Sequence, residues 1–238
     1  MSDVKSFTEQ ITNKLSKSIN QPCVLCGAKG HEDLCLCEDC LAELPYIENS
    51  CDSCGLPLQA SLTHCGACIS SPPPCTRCVS VLHYQEPVDY LIKHMKYHNQ
   101  LAIADLMGKL LVKKIGKTTP LPEQIIPVPL HFSRLQQRGY NQAIEIAKPI
   151  SRAFNIPINT TLCSRIRDTA PQFDLASDKR AENLSHAFEV INEVSVKHVA
   201  IVDDVMTTGC TVWELSKTLI NAGVERVDVW TAARATAD

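Results

Sequence analysis

The stretch His198-Val199-Ala200-Ile201-Val202-Asp203-Asp204-Val205-Met206-Thr207-Thr208-Gly209-Cys210-Thr211 sets an apolar run, two adjacent acids and a Thr/Gly loop in close succession. Four apolar residues, Val199 to Val202, predict a buried strand. Asp203 and Asp204 stand at its end, and the loop leads into a helix expected from Thr211 to Ala222, closed by Gly223. Two neighbouring carboxylates at a buried strand end repel each other and resist desolvation, so they need a compensating partner. Paired ribose hydroxyls or a bound cation would supply one. The loop from Met206 to Thr211 aims backbone N–H groups and hydroxyls at one point at a helix N-terminus, which suits a dianionic phosphate without a lysine. Acids for ribose beside a nest for phosphate describe a ribose 5-phosphate site. An acidic N-cap on an ordinary helix is the simpler alternative. One acid and one Thr would leave that alternative standing; two acids followed by Thr-Thr-Gly-x-Thr do not.

Outward from this segment, strands and helices alternate. Val79 to Tyr84 patterns as a strand, Asp89 to Ile115 has helical spacing, and Ile125 to Leu130 is a short apolar run. Asn141 to Phe154 reads as a helix that Pro149 should kink. Further strands are expected near Ile158–Leu162, Phe188–Ile191 and Val227–Trp230. Such alternation implies an α/β fold with a mostly parallel sheet flanked by helices. Ligands of these sheets sit at the carboxyl ends of the strands. Between Ser164 and Leu184 lies a polar stretch with Arg165, Arg167, Gln172, Lys179 and Arg180, which reads as a long mobile loop or a nucleic-acid contact.

Thirteen cysteines are many for 238 residues, and eleven fall between Cys23 and Cys78. The pairs Cys23/Cys26, Cys37/Cys40, Cys51/Cys54 and Cys65/Cys68 recur every fourteen residues. A Cys-x-x-Cys turn presents two sulfurs to one tetrahedral metal, so four pairs make two four-thiolate zinc sites. A disulfide framework would need an oxidising compartment, and a redox pair would occur once rather than in series. Sequential pairing, Cys23/Cys26 with Cys37/Cys40 and Cys51/Cys54 with Cys65/Cys68, closes the shortest loops; interleaved pairing is compatible with the spacing. Cys35, Cys75, Cys78, His31 and His64 are left over, the histidines as surface loop residues. Zinc satisfied by four thiolates has no open position for catalysis, so this module is a scaffold or a partner surface. Ser70-Ser71-Pro72-Pro73-Pro74 then forms a stiff linker. The expected domains are an amphipathic helix at 1–20, a double zinc ribbon at 21–78 and an α/β domain at 79–238.

Composition narrows the remaining choices. A chain with 45% apolar and 21% charged residues can bury a core. No run approaches the ~20 apolar residues of a membrane helix, and residues 1–20 lack the apolar block of a signal peptide, so a cytoplasmic protein is expected. A net charge of −3, with pI near 6.2 and 5% aromatics, gives nucleic-acid binding no support from bulk charge.

Val199–Thr211 resembles the phosphoribosyl pyrophosphate signature of type I phosphoribosyltransferases. The whole arrangement resembles the ComF family (GntX-like, or competence protein F), which joins a double zinc ribbon to such a domain. Also carrying the resemblance are Cys23-x-x-Cys26, Cys51-x-x-Cys54-Gly55-Leu56-Pro57, Cys65-Gly66-x-Cys68 with Pro72-Pro73-Pro74, Pro127-Val128-Pro129-Leu130 and Arg138-Gly139-Tyr140-Asn141-Gln142. Cys35, Cys75 and Cys78 fall outside the pattern.

The resemblance implies that Asp203 and Asp204 hold the ribose 2′ and 3′ hydroxyls as the catalytic pair. Thr207, Thr208, Gly209, Cys210 and Thr211 would hold the 5-phosphate, Cys210 through its backbone N–H. Pro127 to Arg138 would bind pyrophosphate, with Val128–Pro129 a candidate cis bond. His131, Ser133, Arg134 and Arg138 offer donors and charge there; on spacing alone the two arginines read as a solvated pair. The loop at Ser164–Leu184 would close over substrate. Mg²⁺ would accompany the diphosphate during displacement at ribose C1.

No motif names an acceptor. One implied function is therefore a phosphoribosyltransferase associated with DNA uptake or utilisation. The other is a non-catalytic phosphoribosyl pyrophosphate-binding protein whose zinc module and basic loop contact single-stranded DNA or DNA-uptake proteins. The nearest approach to a base-stacking stripe, Lys93-His94-Met95-Lys96-Tyr97-His98, reads as a solvated helix face.

Overall fold

Val199 to Val202 pair on both edges, so the apolar run of the signature lies at the centre of its sheet. A computed structural model describes residues 21–59, 61–116, 120–167 and 186–236. The helix expected at 1–20 lies outside the described residues, as do Gln172, Lys179 and Arg180.

Four parallel strands stand in the order β1 (Arg77–His83), β6 (Arg226–Arg234), β5 (His198–Met206), β2 (Gln124–Pro127). Parallel sheets bury both faces, and this one does. Val199, Ile201, Val227 and Val229 pack on one face with Val212, Leu215 and Leu219 of helix α7 (Cys210–Asn221). The antiparallel pair β3 (Cys163–Arg165) and β4 (Phe188–Val190) joins the same cluster through Cys163 and Phe188. Helices α4 (Leu101–Ile115) and α6 (Gln142–Phe154) pack together against the sheet, burying Leu106, Leu110, Ile146 and Ile150. Among the described residues no helix is long and apolar enough to cross a membrane.

Several local expectations change. The helical stretch Asp89–Ile115 is two helices, α3 (Val88–Tyr97) and α4, parted where Asn99 takes φ +59°. Near Ile158–Leu162 there is a single bridge, Ile158 beside Ile125, instead of a strand. Asn159 Oδ1 accepts the N–H groups of Thr161 and Leu162 and turns the chain, so pairing begins at Cys163. Helix α6 runs unbroken through Pro149, whose ring lies where a side chain at Gly108 would sit. The cis peptide among the described residues is Glu86–Pro87, whereas Val128–Pro129 is trans. Val128 donates to the Val202 carbonyl at 2.9 Å and accepts from Asn141 Nδ2 at 3.0 Å, which keeps it in line with β2.

The chain forms two compact units, 1–44 and 45–238. In the first, short loops and helix α1 (Glu38–Ala42) surround Cys23, Leu34 and Leu36. In the second, residues 45–78 belong with the sheet. Ile47 donates to the Val81 carbonyl at 2.8 Å, His83 to that of Pro45 at 2.9 Å, and Cys78 to that of Asp52 at 2.7 Å. Pro45–Ile47 thereby lies along the outer edge of β1, ahead of the short helix α2 (Gly66–Ser70).

Candidate functional site

The described cysteines gather into the sequential sets Cys23, Cys26, Cys37, Cys40 and Cys51, Cys54, Cys65, Cys68, with all sulfurs of a set within 4.8 Å of one another. In a tetrahedral site with ~2.3 Å bonds, sulfurs stand roughly 3.8 Å apart. Cys26 and Cys37 are 3.6 Å apart, and Cys54 and Cys65 3.7 Å, so both sets fit zinc.

Each set already contains one acidic thiol. Burial opposes ionisation of Cys23, but N–H groups of Cys26, Cys37 and Leu25 outweigh it and bring the thiol down to about 6. Cys51 comes down to about 7 by the same balance, through the N–H groups of Cys65, Cys54 and Ser53. Cys40 is pushed up, chiefly by its bond to Cys37, and Cys68 chiefly by burial. A dication reverses such shifts, because the thiolate is the ligand. Cys35, Cys75, Cys78, His31 and His64 lie outside both sets. Cys75 Sγ donates to the Ser53 carbonyl at 3.2 Å, and burial holds its thiol at about 12; Cys78 is a buried residue of β1.

Asp203 and Asp204 lie within β5 and not beyond it, because β6 continues to pair with that strand as far as Met206. The neighbour on the other edge stops sooner: β2 ends at Pro127, opposite Val202. Past Val202, β5 runs on beside β6 without its neighbour β2. That is the crevice in which α/β sheets hold ligands.

Lys96 of α3 reaches into this crevice, its Nζ 3.0 Å from Asp204 Oδ1, with side chains only 18% and 5% exposed. It is the compensating cation, although its own stretch of sequence predicts a solvated face. The paired acids were the available signal, since they require a partner. Asp204 Oδ2 is buried and has no hydrogen-bond partner among the described residues. Asp203 Oδ1 accepts the Asp204 N–H at 2.9 Å. Burial first, then the Asp204 carboxylate, hold the Asp203 carboxyl up at about 7, against the opposing charges of Lys96 and Arg165. Arg165 itself lies over the Phe188 ring at 5.6 Å.

A carboxyl raised from 3.8 to about 7 binds its proton more tightly in the folded chain. The stability it contributes is complete below about pH 4 and is lost as the pH rises through about 7. Urea midpoints of the wild-type chain will therefore fall relative to those of Asp203→Asn between pH 5 and pH 8. Parallel midpoints would contradict this.

The loop after the acids turns at Gly209, with φ +87°. A Cβ there would come within 2.3 Å of the Trp213 ring, so glycine permits both the turn and the close indole. Thr208 Oγ1 donates to Cys210 Sγ at 3.1 Å, while α7 directs its first N–H groups toward the loop. Arg234, 7% exposed, closes the loop from behind. Its Nη1 donates to the carbonyls of Met206 at 3.2 Å, Thr207 and Ala235, and its Nε to that of Cys54 at 3.1 Å. Nothing in the local sequence marked this residue.

The stretch Arg138–Gln142 ties the segment after β2 to α3. Gly139, at φ +76°, ends helix α5 (Phe132–Arg138), which also carries Arg134. Tyr140 donates its hydroxyl to the Met95 carbonyl, and Asn141 caps α6 through the Ala143 N–H at 2.9 Å. Arg138 lies over the Tyr97 ring at 5.5 Å.

Residues 20–69 match the double zinc ribbon domain. Competence protein F of Haemophilus influenzae is 38% identical over 228 residues, covering 91% of this chain and 98% of the relative. The chain belongs to the ComF family. DNA utilization protein YhgH of Escherichia coli K12, at 36% identity over 220 residues, covers 89% of this chain and 96% of its own. Among solved structures, adenine phosphoribosyltransferase from Leishmania tarentolae gives a TM-score of 0.40 at 14% identity, covering 66% of this chain and 91% of that one. In this ComF-family chain, the cysteine sets and the parallel sheet with flanking helices bear out the expected architecture.

Proposed function

We propose that this ComF-family chain binds phosphoribosyl pyrophosphate with Mg²⁺ in the crevice between β2 and β5, as a phosphoribosyltransferase-type protein serving DNA uptake or utilisation. The observation that carries the reading is Asp204 Oδ2, a buried carboxylate oxygen without a partner among the described residues, beside a second acid and one loop away from a helix N-terminus. Ribose hydroxyls are donors and meet that need, and the N–H groups of residues 207–211 suit the 5-phosphate.

Arg134 and Arg138 supply charge for the diphosphate. Asp203 and Asp204 offer the oxygen donors that Mg²⁺ prefers, and the ion supplies Lewis acidity toward a departing diphosphate. The two cysteine sets hold structural zinc.

A second reading rests on α3. Tyr90 and His94 of that helix and His98 at its C-cap form a row of tilted rings with centroids 4.0 and 4.6 Å apart, beside the exposed Tyr97 under Arg138. Rings interleaved with Lys93 and Arg138 form a platform for single-stranded DNA.

Calorimetric titration of the full chain tests both readings. Phosphoribosyl pyrophosphate with Mg²⁺ will bind, ribose 5-phosphate more weakly, and free ribose not at all. Absence of heat up to millimolar phosphoribosyl pyrophosphate would remove the first reading. A thymidine oligonucleotide that binds with a steep salt dependence, lost in Tyr97→Ala/His94→Ala, would establish the second. Pyrophosphate release across a panel of nucleobases then separates an enzyme from a binder.

A further inference from the structure

We propose that metal held by Cys51, Cys54, Cys65 and Cys68 positions the phosphate loop through Arg234 and Trp213, so that metal loading and phosphate-ester binding are coupled. This rests on reading residues 207–211 as a phosphate loop.

Two physical links run from this cysteine set to the loop. The first is Arg234. Its buried guanidinium has no carboxylate within ion-pair distance among the described residues and is met by carbonyl oxygens alone. A buried charge needs such partners, so it fixes the groups that solvate it. Those groups belong to Met206 and Thr207 at the start of the loop, to Ala235 next in the chain and to Cys54 of the metal set. Carbonyls turned onto Arg234 are withdrawn from the anion's side of the loop, which leaves N–H groups to face a phosphate. The Cys54 carbonyl is itself placed by its turn, where Gly55 donates to the Cys51 carbonyl at 2.8 Å with φ +65°.

Trp213 is the second link. Its ring packs against the four cysteines and fills the space that a side chain at Gly209 would need. Arg234 thus holds one end of the loop and Trp213 the other, and both touch the same cysteine set, Arg234 at the Cys54 carbonyl and Trp213 at the cysteine side chains. Bound metal locks those sulfurs in place. Without it, the turn at Cys54 and the seat of the indole are both free to relax. A cleft of ≈590 Å³ lined by Cys54, Cys65, Cys68, Trp213 and Lys217 opens this set to solvent, so a chelator can reach it.

Coupling between two sites is reciprocal, so the sugar phosphate must in turn retain the metal. The experiment is equilibrium competition for zinc by a chelating dye, using the full chain loaded with two zinc ions. Two transitions are expected, and saturating ribose 5-phosphate will move one of them to about fivefold higher chelator or more. Cys26→Ser/Cys40→Ser, which alters the other compact unit, will keep the shifted transition as its only one. Arg234→Lys will keep two zinc ions but lose the shift, because a lysine cannot span the four carbonyls.

If ribose 5-phosphate binds in calorimetry and neither transition of the wild-type chain moves, the proposal is overturned. Loss of the shifted transition in Cys26→Ser/Cys40→Ser would overturn it too. A shift that persists in Arg234→Lys removes the role given to Arg234. If ribose 5-phosphate does not bind the zinc-loaded chain at all, the phosphate-loop reading fails first and takes this proposal with it.

Discussion

Asparagine at both Asp203 and Asp204 will weaken binding of phosphoribosyl pyrophosphate with Mg²⁺ by about 100-fold or more. Each carboxylate that accepts a ribose hydroxyl contributes about 1.5–3 kcal/mol as a charge-assisted hydrogen bond. Two such losses reach at least about 3 kcal/mol, and every 1.4 kcal/mol is tenfold in affinity. The substitution suits the test because it preserves shape. The amide oxygen introduced by Asp203→Asn can still accept the backbone N–H of the next residue, now taken by Asp203 Oδ1 at 2.9 Å, and β5 keeps its pairing. Lys96 loses its charged partner, which is 3.0 Å away in the wild-type chain. Calorimetry reads the affinity, and a thermal melt confirms that the sheet persists. Equal affinity in the two proteins would mean that the acids serve some other purpose.

Stripping zinc will have the larger structural effect. The first unit spans only residues 1–44, close to the size at which a domain needs a metal or disulfides to fold. Structural zinc in comparable small modules contributes an apparent 10–16 kcal/mol or so, most of which is folding free energy. Hydrogen–deuterium exchange after chelation will therefore show amides such as those of Cys23, Gly27 and His31, now bonded to Ala28, Cys23 and Leu36, exchanging at unfolded rates. Amides of β5 and β6 will stay protected, since their parallel pairing rests on apolar burial at Val199, Ile201, Val227 and Val229. Retained protection across 21–44 in excess chelator would show that the unit folds without metal.

Much of this architecture was legible in the sequence, for reasons that differ by element. The cysteine pairing was readable because short loops close most easily, and the two sets follow that order. The central strand was readable as an apolar run, but its end was not. Apolarity stops at Val202, whereas pairing continues to Met206 because β6 supplies partners as far as Arg234. Composition cannot reveal a neighbour's length.

Lys96 illustrates a second limit. Its own neighbours are polar and aromatic, and its burial comes from the packing of α3 beside Asp204, more than a hundred residues away in sequence. Arg234 is the extreme case, since it joins Cys54 to the loop across 180 residues. A lone arginine at a strand end carries no local mark of that. The family pattern implies a pyrophosphate ligand at Arg138, whereas its place over the Tyr97 ring depends on where α3 lies.

The short segment Pro45–Ile47 has a bearing on how the chain can be shortened. By lying along β1 it covers a flank of the sheet that would otherwise offer unpaired backbone groups to another molecule. Exposed strand flanks of this kind template self-association. Trimming back to Leu44 keeps that shield, whereas trimming through the triple proline removes it together with the Cys54 carbonyl that meets Arg234, and invites clumping of the α/β core.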